Sequence, residues 1–423
     1  MNNIAFHMNL NLVLKIIFIQ YIIIIGCGLE SNFIVLTASI VLFSNLLLIL
    51  KSRRNLLLLI IFLIIFYSNY SILYANYINH IDNFFTDEIS KKNTYTAVKI
   101  LGVFNVLFFF VIPKTINDYV SSPDELKSLY PNSNVIFWGV LAYLIPVFFL
   151  CFDTSQTLGE RVDPSPLYEY SLCFFILGYH FVKVEKRLRI LDFLVLCFAV
   201  RNFMFGGRIA GLQFILCMYC FRYYFKLNKM TLVMMLIPLV LTMYIIGVVR
   251  GAIISGTFSM EEIMNSLISD GMTLDTAYSA YYTSEVFVYM RDAVNDHFTY
   301  FIAFITAIII GYSFFPHLLL SFVADSFFTN YGGGIYPYYW YFWGGGIGVG
   351  ISVFLLMPFF SMCNKINTNT QSGLCKCLAI YTASCVLRWY LYTPYSFFRG
   401  CFIITILYYC CCICVKTFHV SFK

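Results

Sequence analysis

Long apolar runs recur along the whole chain and constrain its fold more than any other feature. Hydrophobic residues make up 60% of the 423 residues, and only 11% are charged, against about 25% in an average soluble domain. A soluble fold cannot bury that much apolar surface, because even large domains leave much of their surface in water. Transmembrane β-barrels have weakly alternating strands instead of unbroken runs. We therefore predict an all-α, polytopic membrane protein with a single transmembrane domain over residues 1–423.

These runs predict about twelve transmembrane helices, since about 20 apolar residues are needed to cross the hydrocarbon core of a bilayer. A further apolar stretch, 298–324, is interrupted by Gly311 and Pro316 and is left out of this count. The predicted spans are residues 10–27, 33–50, 55–76, 97–113, 134–152, 167–182, 190–205, 209–225, 230–249, 338–362, 375–392 and 400–415.

Lysine and arginine residues predict the orientation, because the cytoplasmic loops of membrane proteins are enriched in them. With a cytoplasmic N-terminus, sixteen basic residues fall in inside loops and nine in outside loops. Of the 21 acidic residues, sixteen fall outside. This orientation places both termini in the cytoplasm.

The same orientation decides how the stretch 298–324 is arranged. Arg250 ends a span on the outside, and the span 338–362 has to run inward to deliver Lys365 to the cytoplasm. The stretch between them therefore crosses the membrane either not at all or twice. We predict one long external loop over residues 250–337, with 298–324 embedded in the membrane or re-entrant.

Arginines at the outer ends of the predicted spans are the most informative residues, because the positive-inside rule disfavours them there. A guanidinium is always charged and binds phosphate through two parallel hydrogen bonds. Five arginines at one depth therefore predict a site for a polyanion at the outer leaflet. The alternative is that they snorkel, cap helices or pair with acidic residues. The five are Arg201, Arg208, Arg250, Arg388 and Arg399.

Glycines mark two further places, one of them directly before Arg208. Gly206 and Gly207 precede Arg208 where a predicted span begins. Their backbone N–H groups are open to an anion, and the helix N-terminus adds positive potential. Helix packing through Gly207 and Gly211 is the alternative explanation. Two glycine triplets flank an aromatic run within residues 331–346, and such triplets let the backbone approach another group closely.

Together these motifs resemble the bacterial O-antigen polymerases of the Wzy type. The resemblance lies in residues 206–208 at the start of a span and in 332–337, which lead into an aromatic, glycine-rich span. It also lies in Arg388, Pro394 and Arg399 between the last two spans, and in twelve spans with one long, late external loop.

The resemblance implies a membrane-embedded C-type glycosyltransferase of the bacterial inner membrane, with its active site at the periplasmic face. Such an enzyme transfers a growing glycan from undecaprenyl pyrophosphate to a lipid-linked repeat unit. Its arginines stabilise the charge of the leaving pyrophosphate, so we expect no metal and no cofactor. Expected partners are the lipid-linked oligosaccharides, the bilayer and a chain-length regulator protein, and no nucleic acid.

An enzyme of this kind needs a general base for the acceptor hydroxyl. His317 ranks first, because it lies beside Pro316 in the bent stretch at the depth of the arginines. The remaining candidates, in order, are Asp325, Glu169 and His297. The alternative is that the histidines among them are structural or simply exposed.

A helix predicted from about Asp275 places three tyrosines and one carboxylate on one face, at i, i+4, i+7 and i+11. Aromatic rings stack on sugars and carboxylates bind their hydroxyls, so this face is a candidate for glycan binding. A helix resting on the lipid interface is the alternative. The four residues are Tyr278, Tyr282, Glu285 and Tyr289.

Two other functions fit parts of the pattern. An O-antigen ligase shares the fold and the arginine chemistry but delivers the glycan to lipid A core. A flippase for lipid-linked oligosaccharides also has about twelve spans and cationic residues. The long external loop at 250–337 and the lack of internal symmetry disfavour the flippase.

Overall fold

The computed structural model describes most of the chain, with gaps. The described residues are 34–74, 77, 91–113, 134–151, 165–205, 207–222, 234, 244–245, 247–249, 259–261, 264, 273–329, 332–366 and 371–421. Within them every regular element is a helix and no strand occurs, which confirms the all-α prediction for this part of the chain.

The longer helices are numbered in chain order. They are α1 Ile34–Ser52, α2 Leu56–Leu73, α3 Lys91–Val111, α4 Asn134–Leu150, α5 Pro166–Phe181, α6 Glu185–Met204, α7 Arg208–Arg222, α8 Asp275–Ala293, α9 His297–Ile309, α10 Leu320–Asp325, α11 Tyr336–Asn364, α12 Gly373–Ser384, α13 Val386–Leu391 and α14 Pro394–Ser421. Two 3₁₀ turns, Tyr312–Phe314 and Pro316–Leu318, connect α9 to α10.

Ten of the predicted spans fall on these helices, while 10–27 and most of 230–249 lie outside the described residues. By length and composition, α1, α2, α11 and the Pro394–Thr417 part of α14 are able to cross a membrane. The apolar parts of α3, α4 and α9 are shorter. These helices indicate a membrane-embedded protein.

Large apolar side chains on the outer faces of the helices support the same conclusion. Phe149 and Leu150 of α4, Phe193 of α6, and Ile347 and Phe354 of α11 are all largely exposed. Water-soluble proteins rarely leave wide apolar surfaces uncovered. Contact with lipid explains why these side chains are not buried in the core.

Four helices pack against one another and form the frame of a cleft. Helix α12 contacts α5, α7 and α14, and α5 also contacts α7 and α14. The predicted span 375–392 is not one straight helix, because it breaks at Cys385 between α12 and α13. This break brings the short helix α13 to the end of the frame where α5 and α14 begin.

The stretch after α9 is interrupted where Gly311 and Pro316 predicted it. Gly311 has φ = 126°, a conformation that L-residues with a side chain rarely adopt. A Cβ atom at Gly311 would also clash with the guanidinium of Arg399. Glycine at this position therefore permits both the bend and the close approach of Arg399.

The glycine triplet 344–346 marks a kink inside α11. Gly345 has φ = 60° and ψ = −145°, a region that is essentially restricted to glycine. The kink interrupts the hydrogen bonds of the helix, and Arg291 binds two of the carbonyl groups before it. Its Nη1 donates to the carbonyl oxygens of Tyr341 and Phe342 at 2.7 and 2.8 Å.

We expect Gly345→Ala to destabilise the protein by about 1–3 kcal/mol, the usual cost of a residue held in a disfavoured backbone region. The new Cβ would also lie 3.1 Å from Nη2 of Arg291. Gly344→Ala and Gly346→Ala are matched controls, because nothing lies within 4 Å of their Cβ positions. The apparent melting temperature in detergent should fall for Gly345→Ala alone. Equal melting temperatures for the three variants would contradict the kink.

Candidate functional site

A cleft opens where α5, α7, α13 and α14 meet the turn after α9. Its volume is about 450 Å³, including space open to the surroundings. Three of the residues that the sequence predicted for the site lie together in its wall: Glu169, Arg388 and Arg399. The remaining lining residues are Tyr170, Leu172, Cys173, Gln213, Tyr312, Tyr381, Cys385, Tyr395 and Ser396.

Glu169 and Arg388 form an ion pair in the wall of the cleft. Glu169 lies in the first turn of α5, where a negative charge is stabilised by the helix dipole. Arg388 lies on α13. The two side chains are 21% and 24% exposed, so each remains accessible to a molecule in the cleft while it holds the other in place.

Arg399 lies on the first turns of α14 and contacts two other elements. Its guanidinium carbon lies 5.1 Å from the ring centre of Tyr170, and Nη2 donates to the carbonyl oxygen of Ile310 at 3.2 Å. No carboxylate lies within ion-pair distance of it among the described residues. Its charge is therefore available to an anion in the cleft.

Gln213 of α7 adds a hydrogen-bond donor that the sequence interpretation missed. The residue is 6% exposed, and among the described residues its Nε2 has no hydrogen-bond partner. An unsatisfied buried donor costs about 1–3 kcal/mol, which an acceptor atom in the cleft would remove. The signal was present in the sequence, because a polar amide inside an apolar run is a functional candidate by default.

Aromatic side chains complete the wall and lead to a second space. Tyr395 lines the cleft and also an adjoining groove of about 260 Å³. That groove is mainly apolar, with Phe304, Leu319 and Trp343 among its lining residues. The cleft thus joins cationic, amide and aromatic groups, a combination that can hold an anion beside a ring-shaped or apolar group.

Two other predicted arginines, Arg201 and Arg208, do not line the cleft. Arg208 makes an ion pair with Asp275, in which the single nitrogen Nη2 donates to both carboxylate oxygens at 2.7 and 2.9 Å. Arg201 donates to the carbonyl oxygen of Phe148 and lies 4.6 Å from the centre of its ring. Arg208 follows the acid-pairing alternative and Arg201 is held by a backbone carbonyl and a ring, so the five do not form one cluster. Arg250 lies outside the described residues.

The two glycines before α7 were predicted to offer their N–H groups to an anion, and the structure describes one of them. The N–H group of Gly207 donates to the carbonyl oxygen of Asn202 at 2.7 Å, so this group is not open to an anion. Gly206 lies outside the described residues. Arg208 itself is 9% exposed as a side chain, and it stabilises the ionised form of Asp275. Burial opposes that ionisation, but the charge and hydrogen bonds of Arg208 prevail and keep the pKa of Asp275 below its ordinary value.

The structure separates the four candidates for a general base. His317 is exposed on the turn Pro316–Leu318, and Asp325 is exposed at the end of α10. His297 begins α9 and packs against the ring of Phe342, with 4.8 Å between the ring centres. None of these three lines the cleft, whereas Glu169 does.

Helix α8 begins at Asp275 as predicted, but its proposed glycan-binding face is divided. Tyr282 and Glu285 are buried, Tyr278 is half-buried and Tyr289 is 38% exposed. Glu285 accepts hydrogen bonds within the protein, so it is not open to a sugar. Its partners are the hydroxyl groups of Thr94, Tyr77 and Tyr281.

We expect Glu285 to make stability depend on pH. Helix α8 is not one of the helices that could cross a membrane, and burial raises the pKa of Glu285 from 4.5 to about 8. Between pH 4.5 and about 8, Glu285 in the folded protein therefore keeps a proton that it loses in the unfolded chain. Stability should therefore fall by up to about 1.4 kcal/mol per pH unit as the pH rises through this range. Melting temperatures from pH 5 to 9 measure the effect.

Glu285→Gln should remove this pH dependence, because the amide keeps hydrogen-bonding capacity but does not ionise. The variant should melt above the wild type at pH 8. Glu261→Gln is the control, since Glu261 is exposed. A Glu285→Gln variant that still follows the wild-type pH profile would show that another group causes it.

Comparisons with known proteins add no further assignment. No family model matches the sequence, and neither a curated protein nor a solved structure matches it. A function is therefore inferred from the geometry of the cleft.

Proposed function

We propose that the chain is a polysaccharide polymerase of the O-antigen type. It is a metal-independent glycosyltransferase that passes a growing glycan from undecaprenyl pyrophosphate to a lipid-linked repeat unit. The reaction takes place at the periplasmic face of the bacterial inner membrane. The observation that supports this proposal best is the cleft that joins Glu169 and Arg388 to Arg399 and to Gln213, whose amide nitrogen has no partner among the described residues.

The leaving group of this reaction accounts for the cations. As the bond between the anomeric carbon and the pyrophosphate oxygen breaks, negative charge grows on the pyrophosphate. Fixed donors in a partly buried site stabilise such charge most effectively, because they need no reorganisation. Arg399 supplies a charge without a carboxylate partner among the described residues, and Gln213 supplies a neutral donor in the same cleft.

Glu169 is the general base in this proposal, in place of His317. The acceptor hydroxyl transfers its proton to the Glu169 carboxylate while its oxygen attacks the anomeric carbon. A pyrophosphate that binds Arg388 competes with Glu169 for the guanidinium. The arrival of the donor therefore releases the carboxylate towards the acceptor.

The membrane arrangement of the proposal is twelve spans with both termini in the cytoplasm and an external loop over residues 250–337. The positions of the cleft residues support it. Glu169 lies near the start of α5, Arg399 near the start of α14, and Arg388 on α13 after α12 ends. The predicted orientation puts all three of these helix ends on the outside. Tyr312, within the predicted external loop, also lines the cleft.

The proposal is tested with the purified chain in liposomes. Lipid-linked repeat units are extracted from cells that lack this chain and are supplied as the only glycan. Products of two or more units, with free undecaprenyl pyrophosphate released in step, are expected. Transfer that needs lipid A core would indicate a ligase instead. Movement of single units across the bilayer without elongation would indicate a flippase.

A further inference from the structure

His180, at the far end of α5 from the cleft, is buried without a hydrogen-bond partner. It is 2% exposed, and neither Nδ1 nor Nε2 has a partner among the described residues. A neutral imidazole has one donor and one acceptor, and both are costly to leave unsatisfied when buried. The rings of Phe181 and Tyr408 lie beside it, at 5.0 and 5.7 Å between ring centres.

The N-terminus of α12 meets this imidazole. A Cβ atom at Gly373 would lie 2.6 Å from Nε2 of His180 and 2.5 Å from the hydroxyl oxygen of Tyr408. Only a residue without a side chain lets the start of α12 approach the imidazole and the Tyr408 hydroxyl this closely. The first turn of α12 contains no acidic residue, so the positive potential of the helix N-terminus is not neutralised there.

Two lysines add positive charge at the same place. Among the described residues, Lys376 and Lys183 place positive charge near the His180 ring, and Lys376 is 6% exposed. The acidic residues of the neighbouring helix α6 are already engaged. Glu185 and Asp192 both bind Arg222, at 2.5 and 2.9 Å.

We propose that His180, Lys183, Gly373 and Lys376 form a binding site for a phosphate group. The phosphate oxygens accept a hydrogen bond from the imidazole N–H group. The two lysine charges and the positive potential of the α12 N-terminus attract the negative charge of the phosphate. The site lies about 16 Å from Glu169 along α5, at 1.5 Å per residue, and is therefore separate from the cleft. Its phosphate comes either from the headgroup of an anionic phospholipid or from a soluble phosphate compound, and the experiment below distinguishes the two.

The test measures binding by the purified full-length chain in detergent. Native mass spectrometry compares the retention of phosphatidylglycerol and phosphatidylcholine, and calorimetry measures the binding of inorganic phosphate. Phosphatidylglycerol should bind at least about tenfold more tightly than phosphatidylcholine at one site. Lys376→Gln and Lys183→Gln should each weaken this binding by about tenfold or more. Lys186→Gln, an exposed lysine three residues after Lys183, should leave it unchanged.

Gly373→Ala gives an independent variant that displaces the His180 ring from the start of α12 and removes no charge. It should reduce binding as much as the lysine variants do, and the melting temperature verifies that each variant is folded. If buried Lys376 proves essential for folding, Lys183→Gln and Gly373→Ala still decide the outcome. Inorganic phosphate that binds through these residues without any lipid preference assigns the site to a soluble compound. Binding of both probes that is equal in all variants and in Lys186→Gln overturns the proposal.

Discussion

Arg399→Ala is expected to abolish chain extension while single lipid-linked repeat units still form and reach the cell surface. Arg399 lines the cleft, and among the described residues no carboxylate neutralises its charge. Loss of one donor that stabilises transition-state charge costs about 10²–10³-fold in rate. Arg399→Lys should recover only part of the activity, because an ammonium group does not bind phosphate in a two-pronged way. Glycan length ladders and initial rates in liposomes measure both effects.

Arg201→Ala is the matched control for this prediction. The sequence predicts that Arg201 also lies at the outer end of a span. In the structure Arg201 binds the carbonyl oxygen of Phe148 and does not line the cleft. The folded Arg201→Ala variant should therefore retain chain extension. If Arg399→Ala polymerises at the wild-type rate, the anion is bound elsewhere and the cleft is not the active site.

The helices could be predicted because lipid imposes a simple requirement on the sequence. A span needs a long apolar run, and such runs are visible without any knowledge of packing. The breaks within the runs were harder to place. No proline or glycine in residues 375–392 predicts the interruption at Cys385. The triplet 344–346 does not indicate that only its middle residue, Gly345, adopts positive φ. These details depend on neighbours such as Arg291, which come from distant parts of the chain.

For the site, the sequence identified candidate residues but not their partners in the folded chain. An arginine near a span end signals either a ligand or a partner, and the sequence does not tell which. Arg208 has its partner in Asp275, 67 residues later, and only folding reveals that pairing. His317 ranked first as the base because it was expected at the same depth in the membrane as the arginines. Depth in the membrane does not determine which way a side chain faces. The His317 side chain is exposed and does not line the cleft.

Glu169→Gln is expected to lower the rate of chain extension by about 100-fold or more, the range for loss of general acid–base catalysis. The amide keeps the size of the carboxylate but does not accept the acceptor's proton. Binding of the lipid-linked donor should persist or tighten, because Arg388 loses the carboxylate that competes with pyrophosphate. Single-turnover rates and donor binding, measured on the same preparation, separate the two effects.

His317→Ala and Asp325→Asn are the comparison variants, since both side chains are exposed and lie outside the cleft wall. They should extend chains at rates close to that of the wild type. A slow His317→Ala together with a fast Glu169→Gln would assign the proton acceptor to the turn Pro316–Leu318. In that case the turn has to move towards Arg399 during the reaction, because the proton and the leaving group belong to the same transition state.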